Sequence, residues 1–357
     1  MRDSGVLLQI VHAGMVKAGL DVAAIYTRLG YHADKLTQKD LRTPHRLQAF
    51  FWEIVEAVTG DPDIGLHLCP HLPVYRGEVI EYLFFSSPTF RDGCHRALKY
   101  LRLVSDALNV RLVEDEKGSR FTVVGAALQA PQLRHTEICV VYEAMQFARS
   151  VTESNATPLR VRLRCTQRAE LADYERVFGC PVEFEAEQNE IYFDPALLDY
   201  RSPRWDPDLL RLHEELAEKR LSSIERQDLI ERIRTVFSQK LELEQCDLED
   251  VAQELDVPAR RLRFELARAG TSFSQLLSDF RYALARKLLR STDEPIEHIV
   301  YLTGFSEPST FYRAFKRWSG MTPVQYREQK RAMAPGQNGK ATADTLSAIV
   351  GAASRKG

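Results

Sequence analysis

The spacing of apolar positions changes character part-way along the chain. Over the first two hundred residues helical and strand periods alternate. Val6 to Leu20 carries apolar residues at 7, 8, 11, 15 and 16, and Leu47 to Val58 continues the helical spacing. "SSPT" is a helix-start signal for a third run, Phe90 to Leu108. "NVRLVEDEKGSRFTVVGA" then alternates across a Lys117-Gly118 turn and predicts a β-hairpin. Leu133 to Val151 is helical, "TPLRVRLRC" reads as a strand and Glu170 to Phe178 as a short helix. "CPVEFEAEQNEIYFDPALL" predicts a second hairpin about Glu187-Gln188-Asn189. Helices interspersed with antiparallel hairpins describe an α+β domain over roughly 1–200.

From "YRSPRWDP" (200–207) onward the strand pattern stops. Leu209–Leu221 and Ile224–Leu241 are charged amphipathic helices, a helical linker over 201–245. Residues 246–330 are helical throughout, and the small, polar, Gly-rich stretch 331–357 is expected to be a disordered tail.

Within the helical part, "DEPIEHIVYLTGFSEPSTFYRAFKRWSG" places a short apolar-edged helix, a turn at Gly304 and a second helix in succession. Pro295 suits the first turn, Gly304 the sharp bend, and Ser306 can cap the second helix. On a helical wheel Phe311, Ala314, Phe315 and Trp318 share one side, while Ser309, Tyr312, Arg313 and Lys316 face the other. Helix, glycine turn, helix is a helix-turn-helix, whose second helix enters the major groove. A second copy lies about fifty residues earlier in "DLEDVAQELDVPARRLRFELARAG". Asp247 and Asp250 there have cap-like spacing, the turn falls at Asp256-Val257, and Ala259, Leu262 and Leu266 bury. Its outer face carries Arg260, Arg261, Arg263 and Phe264. "TSFSQLLSDFRYALARKLL" between the copies is one amphipathic helix, about 26 Å long, suited to holding two recognition helices about 34 Å, one DNA turn, apart.

Charge supports this division of labour. The whole chain of 357 residues has a net charge of −2, but residues 248–357 hold 17 Lys+Arg against 12 Asp+Glu, net +5, leaving −7 on residues 1–247. The length allows two domains with proper cores. An interrupted apolar run at the start, no apolar stretch long enough to span a bilayer and six scattered cysteines predict a cytoplasmic protein, nucleoid-associated when bound, with reduced thiols and no membrane contact.

The block Leu248 to Arg327 resembles the DNA-binding domain of the AraC/XylS family of bacterial transcription regulators. "GFSEPSTFYRAFKRWSGMTP" carries that family's signature, with Gly304-Phe305, Phe311, Phe315-Lys316, Gly320 and Pro323 in place. The first motif departs from the family pattern: Pro258 replaces a capping Ser, Asp256 a turn Gly, and Phe264 and Glu265 stand where basic residues are frequent. "SSPTFRDGCHRALKYLRLVSD", "YERVFGCPVEFEAEQNEIYFDPALLD" and "RWDP" resemble the arabinose-binding-like sensor domain of ornithine-utilisation regulators and their relatives. The resemblance implies a non-enzymatic regulator, an activator. Its partners are double-stranded DNA, a small-molecule effector, RNA polymerase and a second copy of itself, and it needs no cofactor. DNA contacts are expected from Arg260, Arg261, Arg263, Phe264, Ser309, Thr310, Tyr312, Arg313 and Lys316.

Rival chemistries are weaker. "HLCPH" (67–71) offers three zinc-ligand types but no fourth nearby, so a polar loop is expected and no metal. "GCHR" resembles the P-C-H-R of DNA alkyltransferases, an alternative in which Cys94 is a nucleophile. Gly93 in place of Pro and the apolar run Ala97, Leu98, Leu101 favour an ordinary half-buried thiol. Arg160, Arg162 and Arg164 alternate along one strand and read as a solvated face. A ligand-free architectural DNA binder would have no use for a sensor-like first domain.

Overall fold

The computed structural model describes residues 1–30, 36, 41–124, 133–153, 156–240 and 246–332, which fall into two compact units, Met1–Ser222 and Ser223–Gly357. The first unit begins with a strand too short to leave a periodic trace, β1 (Arg2–Ser4). Ser4 caps α1 (Gly5–Lys17), and Asp21 caps α2 (Val22–Leu29) through the Ala24 N–H at 2.9 Å. β2 (Arg42–Pro44) pairs antiparallel with β1, followed by α3 (Leu47–Thr59), α4 (Ile64–Leu68) and α5 (Val79–Ser86).

Thr89 caps α6 (Phe90–Lys99), which stops well short of the predicted Leu108. Long-range bonds to β1 explain the early stop. The Ser4 N–H donates to the Val104 carbonyl at 2.7 Å, and Ser105 Oγ donates to Asp3 Oδ1 at 2.6 Å. Asp3 is 2 % exposed and also meets His45 and Gln48. Burial pushes its pKa up, but the bonds from His45, Ser105 and Gln48 outweigh this and hold it below the usual carboxylate value.

β3 (Asn109–Asp115) and β4 (Gly118–Val124) form the first predicted hairpin, with Asp115 opposite Gly118. The loop is therefore Glu116-Lys117, one residue earlier than expected, and Gly118 supplies the positive φ of 109° that closes it. After α7 (Leu133–Val151) come β5 (Pro158–Arg162), α8 (Leu171–Phe178), β6 (Val182–Glu183) and β7 (Asn189–Phe193). The second predicted hairpin does not form. The sheet order is β3-β4-β7-β5-β6, so β5 lies between the two strands that alternation suggested were partners. Val161 of β5 stands opposite Ile191 on one side and Val182 on the other, a buried apolar row across three strands. Beyond β6 the chain bends at Glu185 (φ 58°), and the Ala186 N–H donates to the Leu163 carbonyl instead of to β7.

The two helices predicted over 209–241 are one, α9 (Pro207–Lys240). Its early residues pack on the first unit, where Ala217 is fully buried and Arg96 donates to Glu214 at 2.9 Å. Its late residues Ile233, Val236 and Phe237 are buried in the second unit with α10 (Leu248–Glu254) and α11 (Ala259–Arg268). The rest of that unit is α12 (Phe273–Ser291), α13 (Ile296–Leu302), α14 (Pro308–Ser319) and α15 (Pro323–Ala332). α12 serves two cores, with Leu276 in one and Ala285, Leu288 and Leu289 in the other. The tail expected over 331–357 lies outside the described residues, apart from the last two positions of α15.

Candidate nucleic-acid interface and ligand cavity

Each helix-turn-helix is closed by the same backbone device. After α13 the Gly304 N–H donates to Tyr301 O at 2.8 Å and the Phe305 N–H to Val300 O at 3.1 Å. After α10 the Asp256 N–H donates to Gln253 O at 3.1 Å and the Val257 N–H to Ala252 O at 3.0 Å. This pairing terminates a helix by putting one residue in the left-handed region. Gly304 takes that conformation at φ 73° and Asp256 at φ 52°.

The recognition helices begin without side-chain caps. α14 starts after Glu307, not Ser306, and Pro308 sets its first turn; α11 starts after Pro258. In α14, Phe311 and Phe315 are fully buried and Ala314 nearly so. Trp318, expected in the same stripe, is half-buried, its ring 5.5 Å from Tyr282 and 6.2 Å from Phe305. Ser309, Thr310, Arg313 and Lys316 are exposed. Tyr312 is half-buried against Phe311, because it stands at the edge of the apolar stripe. Arg317, missing from the sequence-derived set, is exposed and lines a cleft with Arg313 and Thr310.

In α11, Leu262 and Leu266 bury while Arg260, Arg261 and Arg263 are exposed, Arg263 lying 3.7 Å from Glu249. Phe264 is 60 % exposed and belongs to neither core.

The first unit contains a cavity of about 230 Å³, against the roughly 10–15 Å³ that admits one water. Its wall joins two apolar clusters and includes Phe84, Phe121 and Phe147. Of the polar side chains that reach it, Gln48 donates to Asp3 at 3.1 Å, Thr136 accepts from Trp52 at 2.8 Å, and Tyr75 lines the wall beside them. The acid among them is Glu143 on α7, whose two carboxylate oxygens are buried without a hydrogen-bond partner. Burial pushes its pKa up to about 7, eased slightly by the Tyr75 backbone. The signal was present in the sequence. Cys139, Glu143 and Phe147 repeat every four residues along one helical stripe, and an acid stands in the middle of it.

The rival sites dissolve. His67 pairs with Asp61 at 2.7 Å, and the buried Cys69 thiol points at the Gly65 carbonyl at 3.2 Å, so "HLCPH" is not gathered round a point. Among the described residues no three His, Cys, Asp or Glu side chains form a metal-sized group. Cys94 is buried in the cavity wall, and burial pushes its thiol well up, the opposite of an activated nucleophile. Arg160, Arg162 and Arg164 each meet a carboxylate: Glu183 at 3.6 Å, Glu190 at 2.8 Å and Glu137 at 2.8 Å. No described helix is long and apolar enough to cross a membrane.

Residues 19–202 match the arabinose-binding domain of AraC transcription regulators, N-terminal part, and residues 251–329 a helix-turn-helix domain. The ornithine utilization regulator of Pseudomonas aeruginosa is 29 % identical over 76 % of this chain and 80 % of its own. The HTH-type transcriptional regulator VirS of Mycobacterium tuberculosis is 30 % identical over 78 % and 83 %. The urease operon transcriptional activator of Escherichia coli is 39 % identical over 24 % of this chain and 28 % of its own. With a family model covering half its length and regulator-named relatives along most of it, the chain belongs to the AraC family of transcription regulators, a DNA-binding protein with a ligand-binding N-terminal domain and not an enzyme.

Proposed function

We propose that the two recognition helices read successive major-groove segments of one asymmetric half-site. α14 does so through Ser309, Thr310, Arg313 and Lys316, with Tyr312 at its margin, and α11 through Arg260, Arg261, Arg263 and Phe264. The observation carrying this is the pairing of buried and exposed faces: each helix turns its hydrophobic stripe into its own core and these residues outward. Phosphate contacts from the basic residues position the helices, and the bidentate fork of an arginine reads guanine. Phe264, exposed beside Arg260, suits the methyl group of thymine. Selection of bound sequences from a random pool tests this with wild type, Arg313→Ala and Phe264→Ala. Each variant should lose preference at one position, in different halves of the site; an unchanged profile for both would remove the docking scheme.

The 1–200 region is the sensing and self-association part of a cytoplasmic activator that works as a homodimer and contacts RNA polymerase. Leu209, Leu212 and Leu216 support self-association. They follow the 3-4 spacing of a two-helix seam on α9, and the three are 46 %, 53 % and 37 % exposed. Sedimentation of wild type and Leu212→Glu tests it; a wild-type monomer at micromolar concentration would end the dimer reading. The relatives named for urease operon activation and ornithine utilisation make activation of a catabolic operon the regulatory sense to test first, with a reporter gene under the selected site.

A further inference from the structure

The cavity of the first unit has a chemistry more particular than "small molecule". Its wall is aliphatic and aromatic, and among the described residues it includes no lysine, arginine or histidine. An effector carrying a carboxylate or phosphate would leave that charge without a counter-ion in apolar surroundings, which is disfavoured by several kcal/mol. Gln48 Nε2 donates to Asp3 and Thr136 Oγ1 accepts from Trp52, and few other polar side chains line the wall for a polar sugar-like ring. A ligand rich in hydroxyls would leave most of them unpaired. Among the described lining residues the Glu143 carboxylate is buried without a hydrogen-bond partner, and what it lacks is a cation or a strong donor. No cationic side chain acts on it; Tyr142 and the Cys69 thiol lie near it, and the Tyr75 backbone eases its burial.

Resting on the sensing role proposed above, we propose that the effector is a monocationic amine with an apolar body, its ammonium donating to the Glu143 carboxylate and its hydrocarbon part filling the space between Phe84, Phe121 and Phe147. A charge-assisted bond in so apolar a site is stronger than at a surface. Specificity follows from what the wall omits. A zwitterionic amino acid of similar length brings the ammonium that Glu143 needs, but also a carboxylate with nowhere to go. A fatty acid brings only the wrong charge.

Titration calorimetry on the full chain tests this with n-hexylamine, hexanoate and norleucine, on wild type and on Glu143→Gln. The expected result is saturable binding of hexylamine, at least tenfold weaker binding of hexanoate and norleucine, and a loss of tenfold or more in hexylamine affinity for Glu143→Gln. Because the glutamine variant removes a buried charge, its melting temperature should stay at or above wild type, so lost binding there cannot be ascribed to unfolding. Hexanoate or norleucine binding as tightly as hexylamine would overturn the proposal, as would full affinity in Glu143→Gln or no hexylamine binding at all. DNA binding measured on the same ligand-free samples keeps the two readings apart. If it persists while hexylamine fails, the amine assignment falls and the regulator stands.

Discussion

The two helix-turn-helix motifs share a backbone plan and differ in how their side chains fill it. In the second, the core around Phe305, Phe311, Phe315 and Tyr326 is built of rings at 5.4 to 5.8 Å, and the turn residue is glycine. In the first, Leu255, Leu262 and Leu266 meet Val251 and Phe237, and an aspartate is held at positive φ. The outer faces differ as well. α14 offers Arg313, which has no carboxylate partner within 4 Å among the described residues, whereas α11 offers Arg263 near Glu249 and an exposed phenylalanine. One fold thus tolerates a leucine-faced or an aromatic-faced recognition helix, so long as the left-handed turn is kept. What the two copies do not share is the outer face, as expected if each reads a different sequence.

The largest effect should come from the aromatic core. Phe315→Ala empties a fully buried site and should destabilise the second unit by about 3–5 kcal/mol, against about 2–5 for Leu262→Ala in the first motif. Denaturant titration of both variants checks the order, and an undiminished midpoint for Phe315→Ala would show that the second core is looser than its ring distances imply. Next come the outer faces. Arg313→Ala should weaken specific binding by about 1–3 kcal/mol and relax one base position, while Lys316→Ala should weaken all sequences alike and lower the salt slope by about one. Competition binding at several salt concentrations separates them, and identical behaviour of the two would erase the distinction between reading and positioning residues.

The turns give the smallest effects and the sharpest contrast. Gly304→Ala forces a side chain into the left-handed region and should cost about 1–2 kcal/mol. Asp256→Gly should move the other way, stabilising by roughly 0.5–1 kcal/mol, because the strain there is already present. If both substitutions destabilise equally, the Asp256 side chain contributes something to its turn that the glycine copy does without.

The DNA-binding half was legible because its information is local. Apolar residues at three- and four-residue spacing, Gly304 and Pro308 specify their own helices within a few positions. The sheet was legible only in part. Alternation in "VEF" and "NEIYF" marks strands, but which neighbour each takes is decided by β5, some twenty to thirty residues upstream, and no local period carries that. Capping failed at Ser306 for a related reason: Pro308 starts the helix one residue later, at a position chosen by its fixed φ. The apolar stripe of α9 was visible as a helix face, but whether a face is covered is a tertiary fact, and Leu209, Leu212 and Leu216 are not covered. Glu143 sits in a helix whose period dominates its sequence, where a single acid among apolar neighbours passes as noise.

That acid has a thermodynamic consequence. Glu143 titrates at about 7 in the fold and near 4.5 when unfolded, with Tyr75, Tyr142 and the Cys69 and Cys139 thiols around it and no cation to offset its charge. The raised folded value means that the contribution is favourable in acid and fades as pH rises toward 7. Across that window the first unit loses about 3 kcal/mol relative to a chain with glutamine there. Melting curves taken as a pH series on wild type and Glu143→Gln read this directly. A ligand that supplies the missing positive charge restores the loss by mass action, since it binds the folded unit and not the unfolded chain. With the proposed amine bound, the first unit is therefore expected to resist unfolding and proteolysis more than it does empty, which limited proteolysis with and without hexylamine reads.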